Sequence, residues 1–240
     1  MSEGSDKRRA MASLSDWERV LSAAAHLQQF IPDAVLVGGT AAAMHAEHRF
    51  SYDDDHVVAN LIDRFGSVLE NLEAQAGWQT NRIQPPVLIL GNLNGIDTGI
   101  RNLIRAEPLE TQIYLSKDGP IVLPTIAEMA RIKAWLILTR NATRDYIDFV
   151  ALIEKIEQTG GEDAVVQALR PMERLYPQKN GSSPLLQLSK QLAEPKPSDL
   201  GDANLEVYRL LSPRWNNWET VRRAATKVGV LVLNAYEKRA

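Results

Sequence analysis

The chain has 240 residues, 45% of them hydrophobic, and a formal net charge of −3. That is enough apolar material to bury a core in one large domain or two modest ones, and it excludes a global basic signature for nucleic acid. The absence of cysteine excludes disulfides and thiol chemistry and weakens the case for structural zinc.

The first residues, Met1 to Ala10, are polar and no apolar run follows them, so residues 1–12 read as a disordered leader rather than a signal peptide. No stretch approaches the roughly 18 uncharged apolar residues of a membrane span. The expectation is a cytoplasmic protein with no membrane contact. Residues 14–30 read as a helix, with Trp17, Val20, Leu21, Ala24 and Leu27 on one face. Ser15 and Glu18 have capping-box spacing. Pro32 ends the helix.

The next stretch concentrates the chemistry. Ala34 to Val37 is a short buried strand, stopped by Gly38-Gly39. Thr40 is placed to cap an alanine-rich helix ending near His48. A helix N-terminus behind two glycines presents free N–H groups and the positive dipole end, which suits a phosphate. Ser51-Tyr-Asp53-Asp54-Asp55 then reads as a strand. Alternation puts Asp53 and Asp55 on one face and Asp54 on the other, against a helix or an arginine. Two carboxylates sharing a face repel each other unless a cation lies between them or a proton is shared, and hard oxygen donors suit Mg²⁺ held together with substrate phosphates. Arg49 and Ser51 add a cation and a hydroxyl beside the pair. His45, His48 and His56 have no metal-ligand spacing and read as surface or supporting residues.

Residues 59–76 read as a helix. From Trp78 to Leu123 the period shortens to β-like runs at Trp78–Ile83, Val87–Leu90, Ile96–Ile100, Thr111–Leu115 and Ile121–Leu123, separated by proline and glycine turns. From Thr125 onward the chain reads helical, over residues 125–139, 143–158, 162–175, 185–193, 203–211 and 215–238. A low-complexity break falls at Glu194 to Asp199. Lys133 lies inside the apolar stripe of its helix, seven residues after Ile126 and four after Met129. A lysine there is costly unless it is paired, reaches a cavity or snorkels to water. Asp148, on the next helix, is placed to orient it, with Arg140 and Arg144 nearby. Asp145 reads as a dipole and cap residue. The fold class is therefore α+β: a mixed β-sheet core flanked by helices, then a C-terminal helical region. The expected divisions are 13–123 for the core and 124–240 for the helical region.

The pattern Gly38-Gly39-Thr40, then Arg49-x-Ser51-x-Asp53-x-Asp55, then Lys133, then Arg144-Asp145-Tyr-x-Asp148 resembles the AbiEii/AbiGii-type nucleotidyltransferases, toxins of abortive-infection (type IV) toxin–antitoxin systems within the DNA polymerase β-like superfamily. The resemblance covers about residues 30–155. It implies a nucleotidyltransferase core in which Gly38, Gly39, Thr40 and Ser51 hold the nucleotide. It implies that Asp53 and Asp55 bind Mg²⁺, with Mn²⁺ as a substitute. Lys133 would contact nucleotide phosphates, with Asp148 orienting it or helping to activate the acceptor. The superfamily's third metal carboxylate has no obvious counterpart: Asp97 is the first choice and Glu110 the second. The implied function is transfer of a nucleoside monophosphate from an NTP to an RNA acceptor such as tRNA, with a cognate antitoxin as partner. Asp54 departs from the family pattern.

Other readings keep the fold and change the acceptor to a small molecule or a protein hydroxyl, or treat the chain as a degenerate, non-catalytic nucleotide-binding module. Arg101, Arg105, Arg222, Arg223 and Lys227, with Trp215 and Trp218, could line an RNA groove, or be ordinary surface cations and core tryptophans.

Overall fold

The structure, a computed structural model, describes residues 3–200, 205–208 and 210–237, with the backbone alone for residues 3–14 and 206. The chain divides into two units, Met1–Ala41 with Ser51–Pro124, and Ala42–Phe50 with Thr125–Ala240. The segment Ala42–Phe50, expected in the first region, belongs to the second unit. Its physical tie is a set of ion pairs described below.

In the first unit, helix α1 (Glu3–Phe30) precedes β1 (Val35–Leu36), the first turn of α2 (Gly38–Ala46), β2 (Asp54–Val58) and α3 (Leu61–Glu73). Strands β3 (Trp78–Gln84), β4 (Leu88–Leu93) and β5 (Ile96–Asn102) follow, then the hairpin β6 (Thr111–Ser116) and β7 (Gly119–Pro124). Helix α1 starts at Glu3, within the stretch read as a leader; Met1 and Ser2 lie outside the described residues. The five-stranded sheet has the order β1-β2-β5-β4-β3. Strands β2 and β5 are parallel and every other neighbouring pair is antiparallel, so the sheet is mixed.

One face of the sheet is the core. Val58, Ile89, Leu93, Ile96 and Ile100 pack with Val20 and Leu27 of α1 and Leu61, Val68 and Leu72 of α3. Each of these side chains, once fully buried, stabilises the fold by about 1.5–3 kcal/mol relative to exposure. The period-2 geometry of β2 follows from that face: Asp54, His56 and Val58 are buried, while Asp55 and Val57 are half-buried. Strand β7 lies against α1 and β1. Gln28 of α1 completes its hydrogen bonding as a strand would: its Nε2 donates to the Val122 carbonyl (2.9 Å) and its Oε1 accepts from the Val122 N–H (2.7 Å).

The second unit is helical from Thr125 on: α4 (Ile126–Arg140), α5 (Thr143–Leu169), α6 (Met172–Leu175), α7 (Pro184–Ala193) and α8 (Trp218–Glu237). The Thr125 hydroxyl accepts the Glu128 N–H and starts α4. Asn141, in the left-handed region, ends it. Helix α5 is one assignment across a break at Gly161 (φ 69°, ψ −168°), where two separate helices were expected. The expected helix over 203–211 is reduced to a single turn at Leu205–Val207, with 201–204 and 209 outside the described residues.

The stretch read as a low-complexity break, 194–199, is a strap over the turn joining α4 to α5. Asn141 Nδ2 donates to the Lys196 carbonyl (2.7 Å), and the Ser198 N–H donates to the Asn141 carbonyl (2.9 Å). The N-cap of α5, Ala142, has no capping side chain. Asp199 supplies the cap from 56 residues away, accepting from both the N–H and the hydroxyl of Thr143 at 2.7 Å. Replacing Asp199 by Ala is expected to cost about 1 kcal/mol, the usual loss for a removed cap. Urea denaturation of the Asp199→Ala variant checks this.

Candidate functional site

The first unit carries the acidic pair. Gly38, at φ +73°, takes a backbone conformation that a side chain would strain, and turns the chain from β1 directly into α2. The helix thus begins at Gly38 and not at Thr40. Thr40 is buried inside the first turn, and its hydroxyl donates to the Asp53 carbonyl (2.6 Å), so it is not the cap that was expected. The Val37 N–H donates to the Asp55 carbonyl (2.7 Å). These two bonds tie the start of α2 to both ends of the acidic segment. Asp53 is exposed, Asp55 half-buried and Asp54 buried, the expected alternation. A Cβ at position 38 would sit 3.1 Å from Asp55 Oδ2, so the glycine turn and this carboxylate are in close contact. Gly39 lies beside it in the first turn, and Ser51 is buried.

Asp54 meets no arginine or helix donor. Neither of its oxygens has a hydrogen-bond partner among the described residues, and the ion-pair neighbour is His56, whose Nδ1 is 3.6 Å from Asp54 Oδ1. Burial, and then the charge of Asp55, push the Asp54 carboxyl well above the usual carboxylate range. Burial pushes His56 down to about 3. His56, read as a surface or supporting residue, is a neutral core residue.

Asp97 is on β5, whose parallel register sets Asp54 beside Thr98 and Asp55 beside Gly99. Alternation therefore puts Asp97 on the Asp55 side of the sheet. Its carboxylate, however, accepts from Asn92 Nδ2 (3.1 Å) across the β4–β5 pair. Glu110 is exposed ahead of β6. Among the described residues no three His, Cys, Asp or Glu side chains converge to hold a metal. Asp53, just ahead of β2, and Asp55, on it, offer hard oxygen donors beside the start of α2, a donor type that fits Mg²⁺ shared with phosphate oxygens. Arg101 Nε lies 4.0 Å from Asp55 Oδ1.

The second unit carries a buried ionic cluster around Asp148. Its Oδ2 is 2.7 Å from Lys133 Nζ; its Oδ1 accepts from Arg49 Nε (2.6 Å) and meets His48 Nε2 at 2.7 Å; Arg49 Nη2 donates to Oδ2 at 3.0 Å. The side chains of Asp148, Lys133 and His48 are 0–1% exposed. Lys133 is thus paired, and the snorkelling alternative is excluded. It also reaches Asp145 (3.4 Å), which is fully buried and holds Arg140 through two bonds, one of 2.7 Å. Asp145 is more than a cap residue: α5 turns it inward onto α4. Arg49, expected beside Asp53, pairs with Asp148, and His48, expected at the surface, is buried on the same carboxylate. Burial alone would raise the Asp148 carboxyl, but Arg49, Lys133 and His48 outweigh it and hold it well below the usual range. Burial likewise works against the Arg49 charge, and Asp148 overcomes it and raises the group. The signal for these two residues was their place as a basic pair just before the acidic triplet.

The proposed RNA-groove cations are largely engaged. Arg222 and Arg223 pair with Glu219, and Lys227 with Glu157 and Glu162. Arg105 donates to the Glu107 and Pro108 carbonyls. Trp215 is buried, and Trp218 packs edge-on against Tyr146. No described helix is long and apolar enough to cross a membrane.

No protein-family model matches the chain. It is 35% identical over 132 residues to the heme uptake protein MmpL11 of Mycobacterium tuberculosis, a match covering 54% of this chain and 13% of that protein. It is 26% identical over 181 residues to the probable transport protein MmpL11 of Mycobacterium leprae, covering 71% of this chain and 15% of that one. The chain therefore spans only a small part of the length of the curated relatives it matches. Among solved structures, JHP933 from Helicobacter pylori superposes with a TM-score of 0.53 at 17% identity, over 95% of this chain and 94% of that one, and shows a shared fold. An antigenic nucleotidyltransferase-like protein from Paracoccidioides brasiliensis overlaps more loosely, with a TM-score of 0.45 at 13% identity over 67% of this chain and 88% of that one. At that score the overlap says nothing further about this chain.

The Asp148 cluster has a pH signature. The folded carboxyl lies below its unfolded value near 3.9. Its contribution to stability is therefore complete above about pH 4 and is lost as pH falls from there through the folded value. At pH 7 Asp148→Asn is expected to cost about 3–5 kcal/mol, the penalty for stranding buried partner charges. Urea titrations from pH 7 to pH 2.5 should show that deficit shrinking only below about pH 4.

Proposed function

We propose that the chain is a metal-dependent nucleotidyltransferase that moves a nucleoside monophosphate from an NTP to an acceptor hydroxyl. The observation that carries this reading is the position of Asp53, just ahead of β2, and Asp55, on it, each tied by a hydrogen bond through its carbonyl to the glycine start of α2: the Thr40 hydroxyl donates to Asp53 and the Val37 N–H to Asp55. The acceptor hydroxyl gives up its proton to solvent, its oxygen attacks the α-phosphorus, the bond to the bridging oxygen breaks, and pyrophosphate leaves. Mg²⁺ bound by Asp53 and Asp55 would neutralise charge on the triphosphate and the leaving group. The N–H groups at Gly38, Gly39 and Thr40 would hold phosphate oxygens, with the dipole of α2 favouring the negative charge, and Ser51 would add a hydroxyl to the nucleotide site. Lys133, to which the resemblance gives a phosphate-binding role, is held by Asp148 at 2.7 Å within the helical unit.

The acceptor in this reading is RNA, with tRNA as the leading case, and the biological role is that of a toxin held in check by an antitoxin in a cytoplasmic toxin–antitoxin system. Both rest on the resemblance of the motifs to the AbiEii/AbiGii-type enzymes. Heme uptake, named for a matched transporter, is not carried over, because the match is a small piece of that protein. One observation favours a second reading, a nucleotide-binding module without turnover: the candidate third carboxylate, Asp97, is engaged by Asn92.

Incubation of the purified chain with each α-labelled NTP, Mg²⁺ and total RNA separates these readings. Label on RNA is expected, and it should vanish in Asp53→Ala and Asp55→Ala while the melting temperature stays within a few degrees. Full activity in either variant would remove the metal assignment. Label on protein or on a small molecule would reassign the acceptor, and nucleotide binding with no product would favour the module.

A further inference from the structure

A glycine inside a strand weakens it, because it adds backbone entropy to be lost on folding and offers no side chain to pack. Strand β5 nevertheless has one, Gly99, directly beside Asp55 on the parallel neighbour β2. The space its side chain would fill is taken. A Cβ built at position 99 would lie 2.6 Å from Asp55 Oδ1, closer than real Cβ atoms approach, and 3.3 Å from Leu90 Cδ2. The other carboxylate oxygen, Oδ2, lies 3.1 Å from where a Cβ on Gly38 would be. The Asp55 carboxylate is thus held between two glycines on different elements, one oxygen against each.

We propose that Gly99 is a positioning residue: its missing side chain forms a seat on β5 that fixes the Asp55 carboxylate in one rotamer. The inference rests on the reading of Asp55 as a metal ligand for its functional meaning, although the seat itself is a matter of packing. A ligand pre-set in this way does not lose rotamer freedom when the cation arrives, and a supporting contact of that kind is worth about 10–100-fold in metal affinity. Gly38 cannot test the idea cleanly, because its φ of +73° already demands glycine. Gly99 has no positive φ, so a substitution there probes the space alone.

The test is a double-mutant cycle of Gly99→Ala and Asp55→Ala, read by thermal unfolding and by electron paramagnetic resonance of Mn²⁺ titrated into the 240-residue chain. With Asp55 present, Gly99→Ala is expected to lower the melting temperature and weaken Mn²⁺ binding about tenfold or more. With Asp55→Ala the clash is gone, and adding Gly99→Ala should leave the melting temperature unchanged or raise it. If Gly99→Ala alone fails to fold and the double variant folds, the seat is supported. An equal effect in both backgrounds, including failure to fold in both, overturns it. So does unaltered Mn²⁺ affinity in a folded Gly99→Ala protein whose parent binds Mn²⁺. Coupling in the melting temperature with no Mn²⁺ binding by the parent would support the seat and count against nucleotidyl transfer.

Discussion

Asp148 is a fully buried carboxylate that receives Arg49, Lys133 and His48 at once, and the helical unit is arranged to make that tolerable. Removing a carboxylate from water costs several kcal/mol, and only well-placed partners offset it. Here the partners come from two separate stretches of the chain, the end of the segment Ala42–Phe50 and α4, while Asp148 itself is on α5. The pairing explains why Ala42–Phe50 belongs with the C-terminal helices although it follows β1 in sequence. It also explains how Lys133 can occupy an apolar stripe. Asp145 extends the cluster to Arg140 at the turn between α4 and α5, and the strap 194–199 closes over that turn. The helical unit thus contains a polar centre whose members are held by one another.

The sheet unit solves a different problem. Strand β2 must give one face to the core and one to chemistry, and period-2 alternation divides its residues accordingly. Val58 joins the core; Asp55, and Asp53 just ahead of the strand, stay on the more exposed side. Asp54 and His56 fall on the core side with no hydrogen-bond partners among the described residues, which is a local conflict between pattern and burial. Such conflicts concentrate where function constrains sequence. An acidic run that sets two carboxylates on one face forces whatever lies between them inward.

Much of this was readable from local signals. The strand, glycine turn, helix and acidic strand follow from residues a few positions apart, as does the shared face of Asp53 and Asp55. Lys133 stood out because it broke a helical stripe, and Asp148 because it lay a short connection away. What could not be read depends on contacts between distant residues. Arg49 is four positions from Asp53 yet pairs with Asp148, 99 residues on. Thr40 looked like a cap because nothing local showed that Gly38 would begin the helix earlier and leave the hydroxyl for the Asp53 carbonyl. The strap looked featureless because Asp199 caps a helix 56 residues before it. Lys227 reads equally as a groove cation or a surface one because Glu157 and Glu162, which pair with it, lie 70 and 65 residues away in sequence.

The proposed phosphate turn at Gly38 and metal clamp at Asp53 and Asp55 meet at one place in the sheet unit, and their shared occupancy can be seen directly. Crystals of the protein soaked with Mn²⁺ and a non-hydrolysable α,β-methylene NTP analogue should show an anomalous scattering peak shared by Asp53 and Asp55, with phosphate density at the N–H groups of Gly38 to Thr40. A Mn²⁺ peak away from both aspartates, with the triphosphate bound elsewhere, would contradict it.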